Sequence, residues 1–230
     1  MKASAILLSG GKGLRMGHET PKQYLKIQGQ PIALYSFLTL AKHPLIQEVV
    51  VVLDEEWEPL FQNFSNENKI SIRIAFASPG KRRQDSLHSG LKKVDQTTDL
   101  ILVHDAARPF IDEKDVTAAI EAAKAHGAAT LSTPVKATIR IANESKVAVH
   151  TPERDRTFEI QTPQALRFDI LLKGFERAIK NNITVTDDVA LAELAGHPIR
   201  LIDGKEENFK ITTRKDLILA EELAKTFFCK

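Results

Sequence analysis

The sequence predicts a doubly wound α/β sheet, and three observations carry that expectation. Short apolar runs at Ala3–Leu8, 48–53 and 100–104 lack the alternation of a half-buried strand. Helical patterns lie between them. A glycine-rich segment follows the first run at once. Unbroken apolar runs fit strands covered on both faces, as in a parallel sheet. Strand–helix alternation then implies right-handed crossovers.

Each element follows in order. The second run holds Val49-Val50-Val51-Val52, four β-branched residues together. Pro31 can open a helix, because its missing N–H is one that a helix start leaves unbonded anyway. Ile32, Leu34, Tyr35, Leu38 and Ala41 recur at helical spacing, and Pro44 stops the pattern. Residues 82–94 read as a helix with Leu87, Leu91 and Val94 on one face. Residues 112–125 read as another, with Asp112 as N-cap and Gly127 just past the end. The rhythm breaks at 138–150. There Ile139, Ile141, Val147 and Val149 alternate around Asn143-Glu144-Ser145, a hairpin signal. The hairpin is either a projecting arm, spanning 136–156, or an edge hairpin of the main sheet. Helices at Phe168–Lys180 and 186–195 follow, the latter capped by Thr186. A strand at 199–202 and a last helix at 213–227 complete one domain over 1–230.

Composition excludes several classes. A chain of 230 residues can build a core that needs no staples. With 43% apolar and 27% charged residues it is not a disordered chain. Lys plus Arg is 32 against 30 Asp plus Glu, and a net charge of +2 is far from a dedicated nucleic-acid binder. One cysteine, Cys229, excludes an internal disulfide framework and any multi-cysteine metal site. The N-terminal apolar run at 5–8 is too short for a membrane span or signal-peptide core. A cytoplasmic enzyme without nucleic-acid or membrane partners is the expectation.

Candidate chemistry begins at Ser9-Gly10-Gly11-Lys12-Gly13-Leu14-Arg15-Met16-Gly17. Glycines directly behind a strand let backbone N–H groups approach a ligand closely. Lys12 and Arg15 lie within this loop and Lys22 follows Pro21, so donors and fixed cations together suit a polyphosphate. The loop lacks the Lys-Ser/Thr ending of a P-loop, and Met16 stands where a dinucleotide fingerprint needs its third glycine. Arg15 and Lys22 beside one phosphate would stabilise charge growing on it in phosphoryl or nucleotidyl transfer. The plain alternative is a turn with solvated cations.

Asp105 ends the third run, in His104-Asp105-Ala106-Ala107-Arg108-Pro109. There it could hold Mg2+ on a nucleoside triphosphate, or only cap a turn. Arg108 could pair with Asp105 or face a phosphate. Pro79-Gly80-Lys81-Arg82-Arg83-Gln84-Asp85-Ser86 gives a glycine turn and a helix start bearing Ser86, able to hydrogen-bond a base and ribose. Cations there oppose the helix dipole, so they mark an anion site or a solvated helix start. Lys136, Thr138, Arg154, Arg156 and Lys210 are each open to a surface or a ligand role.

Seven segments in order make the sequence recognisable: 8–16, Pro21-Lys22-Gln23-Tyr24, Gln84-Asp85-Ser86, His104 to Pro109, Gln161-Thr162-Pro163-Gln164, Thr186-Asp187-Asp188 and Asn208-Phe209-Lys210-Ile211-Thr212. Together they closely resemble the 2-C-methyl-D-erythritol 4-phosphate cytidylyltransferases of the non-mevalonate isoprenoid pathway, over essentially the whole chain. The ribitol-5-phosphate cytidylyltransferases share the motifs, but tend to have valine at the position of Ala107. The resemblance implies a Rossmann-like nucleotidyltransferase domain with a mostly parallel sheet. An extended β-hairpin arm would lock two subunits into a homodimer. CTP would lie against Ser9, Gly10, Gly11, Gly13 and Lys22, with base and ribose read by Gly80, Lys81, Arg83 and Ser86. Mg2+ would bridge the phosphates with help from Asp105. The polyol phosphate would bind between subunits, near Asp105, Ala106, Arg108 and Lys210 of one chain and Thr138 and Arg154 of the other's arm. Thr162 and Thr186 would line the same pocket. The acceptor's phosphate oxygen would attack the α-phosphorus in line, with Arg15, Lys22 and Asp105 as the catalytic group.

The chain departs from the family pattern in places. Gly10 stands where alanine is more frequent, Arg82 where an acidic residue is common, and Arg156 competes with Arg154. Two other classes have distinct requirements. A nucleotide-binding protein without catalysis would lack Arg15 and Lys22. A metal-dependent glycosyltransferase would want Asp-x-Asp where only Asp105 stands.

Overall fold

The computed structural model describes residues 1–11 and 20–228. Lys12, Gly13, Arg15, Gly17 and Cys229 lie outside the described residues. In chain order the strands are β1 (Ala3–Leu8), β2 (Lys26–Ile27), β3 (Gln30–Pro31), β4 (Ile46–Val52), β5 (Arg73–Ala77), β6 (Leu100–Asp105), β7 (Ala128–Pro134), β8 (Ile141–Ala142), β9 (Ala148–His150), β10 (Phe158–Arg167) and β11 (Arg200–Asp203). Seven of them form one sheet in the order β11-β7-β10-β6-β1-β4-β5. β10 runs antiparallel to β6 and β7, and the other neighbours are parallel.

The helices are α1 (Ile32–Lys42), α2 (Glu58–Glu67), α3 (Arg83–Leu91), α4 (Glu113–His126), α5 (Phe168–Lys180), α6 (Ala190–Leu194) and α7 (Arg214–Phe227). They divide between the two faces of the sheet because successive strand side chains point to opposite sides. Val49 and Val51 meet Phe37 of α1, Phe61 of α2 and Ile120 of α4 on one face. Val50 and Val52 meet Leu87 of α3 and Leu171 of α5 on the other. Phe37 and Phe61 pack edge to face at 5.1 Å and are fully buried, contributing about 2–3 kcal/mol each by area removed from water. α7 closes a smaller core with Ile27, Phe110 and Ile211.

Local signals explain most boundaries. Asp112 accepts Asp115 N–H at 3.0 Å and Asp115 returns a bond to Asp112 N–H at 3.1 Å, a reciprocal cap that starts α4. Gly127 ends it at φ 87°. α3 is shorter than the expected 82–94, running from Arg83 to Leu91 with Arg82 as N-cap. The helix expected over 186–195 is also corrected. Gln164 Oε1 takes the N–H groups of Asp188 (2.8 Å) and Val189 (2.9 Å), and Asp187 Oδ1, not Thr186, takes Ala190 N–H. Only the five residues of α6 remain helical. β5, β7, β10 and α2 add to the elements read from sequence. β10 holds Pro163 in its interior, tolerated because the register with β7 breaks between Ile160 and Gln164.

The hairpin of β8 and β9 pairs with itself and not with the main sheet. Asn143 N–H bonds Val147 O at 3.0 Å and Asn143 Oδ1 accepts Val147 N–H at 3.0 Å, closing the turn. Ile139, Ile141, Val147 and Val149 are all exposed.

Candidate active site

Parallel register brings four strand ends level. Leu8 stands beside Asp105 on one side and Val52 on the other, and Val52 stands beside Ala77. The segments after β6, β1, β4 and β5 therefore open on one edge, as expected for ligand sites in open α/β sheets. A cavity of about 900 Å³ lies there. It brings together Gly10, Gly11, Lys22, Gly80, Lys81, Arg83, Ser86, Asp105 and Lys210, which the sequence had singled out. Asp54, Ala107 and Thr212 line it as well.

The glycine turn is held from below. Gln23 Nε2 donates to Ser9 O at 2.6 Å and to Gly11 O at 2.9 Å. The Tyr24 hydroxyl donates to Ser9 O at 3.1 Å, and burial pushes its pKa well above the ordinary phenol range, so it keeps its proton. Tyr24 stacks on Trp57 at 3.8 Å. Ser9 itself is buried beneath the cavity. Lys22 shares a short 3-10 turn with Gln23 and Tyr24, and its Nζ donates to Ile211 O at 2.8 Å. A Cβ on Gly10 would lie 2.3 Å from Pro79 Cβ, so the chain after β5 closes directly over the turn.

Asp105 is the electrostatic centre. Lys210 Nζ reaches its Oδ2 at 2.7 Å, and Arg83 reaches Oδ1 at 3.1 and 3.2 Å. Arg108 Nε stands 3.9 Å from Oδ2. Burial alone would raise the Asp105 carboxyl; Arg83, Lys210 and Arg108 outweigh it and hold it well below the usual carboxylate range. Arg83 is shared with Asp188, at 2.5 and 2.7 Å. Burial would lower Arg83, but the two carboxylates outweigh it and keep the guanidinium charged. At Asp188 burial pushes the carboxyl above its ordinary range, against the pull of Arg83.

A relay behind Asp105 fixes its backbone. His104 Nε2 faces Arg108 O at 2.9 Å, and a carbonyl only accepts, so Nε2 carries the hydrogen. Nδ1 then accepts from the Thr162 hydroxyl at 2.9 Å, and Thr162 Oγ1 accepts Asp105 N–H at 3.1 Å. Burial lowers the His104 pKa to about 4, so the imidazole is neutral near pH 7.

The other sequence candidates are buried, bonded within the chain or placed away from this cavity. Thr162 is buried with its hydroxyl committed to that relay, behind the cavity wall and not lining it. Ala106 is fully buried. Arg108 turns inward, donating to Asn208 O at 2.7 Å. Thr186 is exposed and lies outside the cavity lining. Thr138 and Arg154 join each other at 3.2 Å beside a separate cavity of about 110 Å³ at the base of the hairpin. Arg156 pairs instead with Glu153 at 3.7 Å. Ser86 Oγ accepts Gly80 N–H at 3.0 Å and so braces the glycine turn it follows. Arg82 pairs with Asp85 and donates to Thr184 Oγ1 at 2.8 Å, which offsets the charge it adds at the cavity rim.

Sequence reasoning left Gln23, His104, Gln164, Asp188 and Asn208 without roles. Each lies inside a motif it quoted, so the signal was a buried polar residue next to an assigned one. Asn208 donates to Thr162 O at 2.8 Å and to Gln161 Oε1 at 3.1 Å, tying the segment before Lys210 to the Thr162 bend.

A magnesium ligand at Asp105 does not fit this arrangement. Both carboxylate oxygens already accept from cations. Among the described residues no group of three or more His, Cys, Asp or Glu could hold a metal ion. None of the described helices is long and apolar enough to cross a membrane.

A glycine turn, flanking cations and an ion-paired aspartate on the carboxyl edge of a mostly parallel sheet define the class: a nucleotidyltransferase. The profile of the 2-C-methyl-D-erythritol 4-phosphate cytidylyltransferase family matches residues 3–226. The chloroplastic enzyme of that name from Oryza sativa subsp. japonica is 46% identical over 220 residues, covering 96% of this chain and 73% of the relative. The Chlamydia felis enzyme of the same name is 43% identical over 222 residues, covering 96% and 98%. The solved 4-diphosphocytidyl-2C-methyl-D-erythritol synthase of Anaerococcus prevotii superposes with a TM-score of 0.86 at 28% identity, covering 97% of this chain and 96% of its own. The chain belongs to the 2-C-methyl-D-erythritol 4-phosphate cytidylyltransferase family.

Proposed function

We propose that this chain transfers a cytidylyl group from CTP to 2-C-methyl-D-erythritol 4-phosphate, releasing pyrophosphate. Membership of the family supports the reaction. The single observation that carries the site is the cavity where Lys22 and the Gly10–Gly11 turn face the Asp105–Lys210–Arg83 cluster. The nucleotide's phosphates lie on the turn and Lys22. The acceptor's hydroxyls donate to Asp105, while Lys210 faces its phosphate. An oxygen of that phosphate bonds to the α-phosphorus as the bond to the bridging oxygen of the leaving pyrophosphate breaks. The protein forms no covalent intermediate, so catalysis is positioning plus stabilisation of charge. Removing Lys22 should cost about 10²–10³ in rate if it acts as one preorganised contact. Arg15 joins Lys22 in this role by the resemblance of its motif. Magnesium enters as the counter-ion of the triphosphate, and not as a ligand of Asp105.

The working unit is a homodimer, in the cytoplasm, with the hairpin of each chain reaching the other. Two features support the dimer. The hairpin's four apolar side chains face solvent, and an isolated two-stranded hairpin is marginal without packing. Thr138 and Arg154 also stand apart from their own chain's main cavity. Arg154 rather than Arg156 is the acceptor's ligand, because it is held beside Thr138.

The test is pyrophosphate release from CTP and Mg2+ with either methylerythritol phosphate or ribitol 5-phosphate. Release with methylerythritol phosphate alone is expected. Release with ribitol 5-phosphate alone would keep the nucleotide site and overturn the acceptor.

A further inference from the structure

We infer that Gln23 is a positioning residue for the nucleotide, aiming the backbone donors of the glycine turn by capturing its carbonyls. The inference deepens the proposed reading and rests on the triphosphate lying at that turn. A trans peptide points its C=O and N–H in opposite directions. With Ser9 O drawn onto Gln23 Nε2 at 2.6 Å, the Gly10 N–H of the same peptide is turned away from Gln23. Among the described residues it donates to no protein acceptor, which leaves it for a ligand. The second bond, to Gly11 O at 2.9 Å, fixes the next carbonyl. One primary amide thus spends both hydrogens on carbonyls two residues apart, and a glycine pair has no side chains to hold that shape itself.

Three features make this a built arrangement rather than a chance contact. Gln23 is buried, with 3% exposure, so its bonds are sheltered from water. Tyr24, the next residue, adds a second bond to Ser9 O from its hydroxyl. Lys22, the preceding residue, lines the same cavity. One short turn therefore sets the backbone donors and the cation together, which fixes their separation. A carbonyl rotated into the cavity instead would face the phosphates with an acceptor.

The order of two variants separates positioning from packing. Gln23→Glu keeps the shape but replaces the amide donors with acceptor oxygens facing two carbonyls. Gln23→Ala removes both shape and donors. If Gln23 only fills space, the glutamate variant behaves as wild type and alanine is the worse. If it aims the turn, both weaken CTP binding roughly ten- to a hundredfold, and glutamate is at least as damaging as alanine. Calorimetry with CTP–Mg2+ and with inorganic tripolyphosphate reads the effect, alongside KM for methylerythritol phosphate at saturating CTP. The expected result is parallel loss for CTP and tripolyphosphate, with the acceptor KM within about twofold of wild type. Wild-type CTP affinity in Gln23→Glu, or an acceptor KM that rises as far as the CTP constant, would overturn the inference. Tyr24→Phe, which deletes the hydroxyl's two bonds with Ser9 but keeps the ring and both Gln23 bonds, should show a smaller loss in the same direction. It serves if the Gln23 variants do not fold. The tripolyphosphate arm does not depend on the base, so a wrong nucleotide would show in wild type and not as a failure of Gln23.

Discussion

His104 shows how one buried side chain sets the protonation and the geometry of its neighbours. Its neutral form is required on both sides, since Nδ1 must accept from Thr162 while Nε2–H serves Arg108 O. Burial lowers its pKa from 6.5 to about 4. Between those values the unfolded chain binds a proton that the folded chain refuses, so stability falls as pH drops from about 6.5 toward 4. His43, also lowered by burial, acts in the same direction. Integrating the His104 difference from pH 7 to pH 5 gives a loss of about 2 kcal/mol. Urea unfolding at the two pH values should show that loss, and His104→Asn should remove about that much of the pH dependence. An unchanged slope in the variant would mean that the imidazole gains its proton inside the fold, and that the Thr162 bond is not what holds Asp105 N–H.

At the scale of elements, three adjacent strands of the sheet were legible because burial on both faces leaves unbroken apolar runs in β1, β4 and β6. The capping residue was legible at α4, where Asp112 does what its type predicts, whereas the Thr213 cap of α7 shows only in the structure. β7 was hidden because Ala128–Pro134 carries small and polar residues instead of an apolar run, with Ala128 and Ala129 packing on opposite faces of the sheet. The helix at 186–195 was overread because the side chain of Gln164, distant in sequence, takes two of its N–H groups. The same limit applied to the site. Glycines and cations in motifs pointed to the cavity, whereas the inward turn of Arg108 and the commitment of Thr162 depend on partners far along the chain. Gly10 is a further case, since its departure from alanine has a tertiary cause in Pro79. Gly10→Ala should therefore strain the junction of β1 and the segment after β5, costing about 1–3 kcal/mol as overpacking does. A lower Tm is expected, and Gly10→Ala with Pro79→Gly should recover part of it. A double variant no more stable than Gly10→Ala alone would place the strain elsewhere.

For the whole molecule, the separation between the two cavities matters most. Asp105, Lys210 and Lys22 belong to one, and Thr138 and Arg154 to the other, at the foot of a hairpin whose apolar residues face solvent. A polyol phosphate held by both sets needs them brought together, and in the proposed homodimer the partner's hairpin does so. Each complete site then takes Lys22 from one chain and Arg154 from the other. Lys22→Ala homodimers lose the cation at both sites, and Arg154→Ala homodimers lose the acceptor ligand at both. A mixed dimer has one site with both defects and one with neither. After denaturation and joint refolding at equal concentration, half of the dimers should be mixed, each with one intact site. Random assortment thus predicts about a quarter of wild-type activity from two nearly inactive parents, read as pyrophosphate release. The recovered activity should carry the wild-type KM for both substrates, because the surviving sites contain no substitution. Mixed dimers verified by mass that remain as inactive as their parents would assign Arg154 to the same chain as Lys22, and the hairpin would then have to fold back over its own cavity to deliver it.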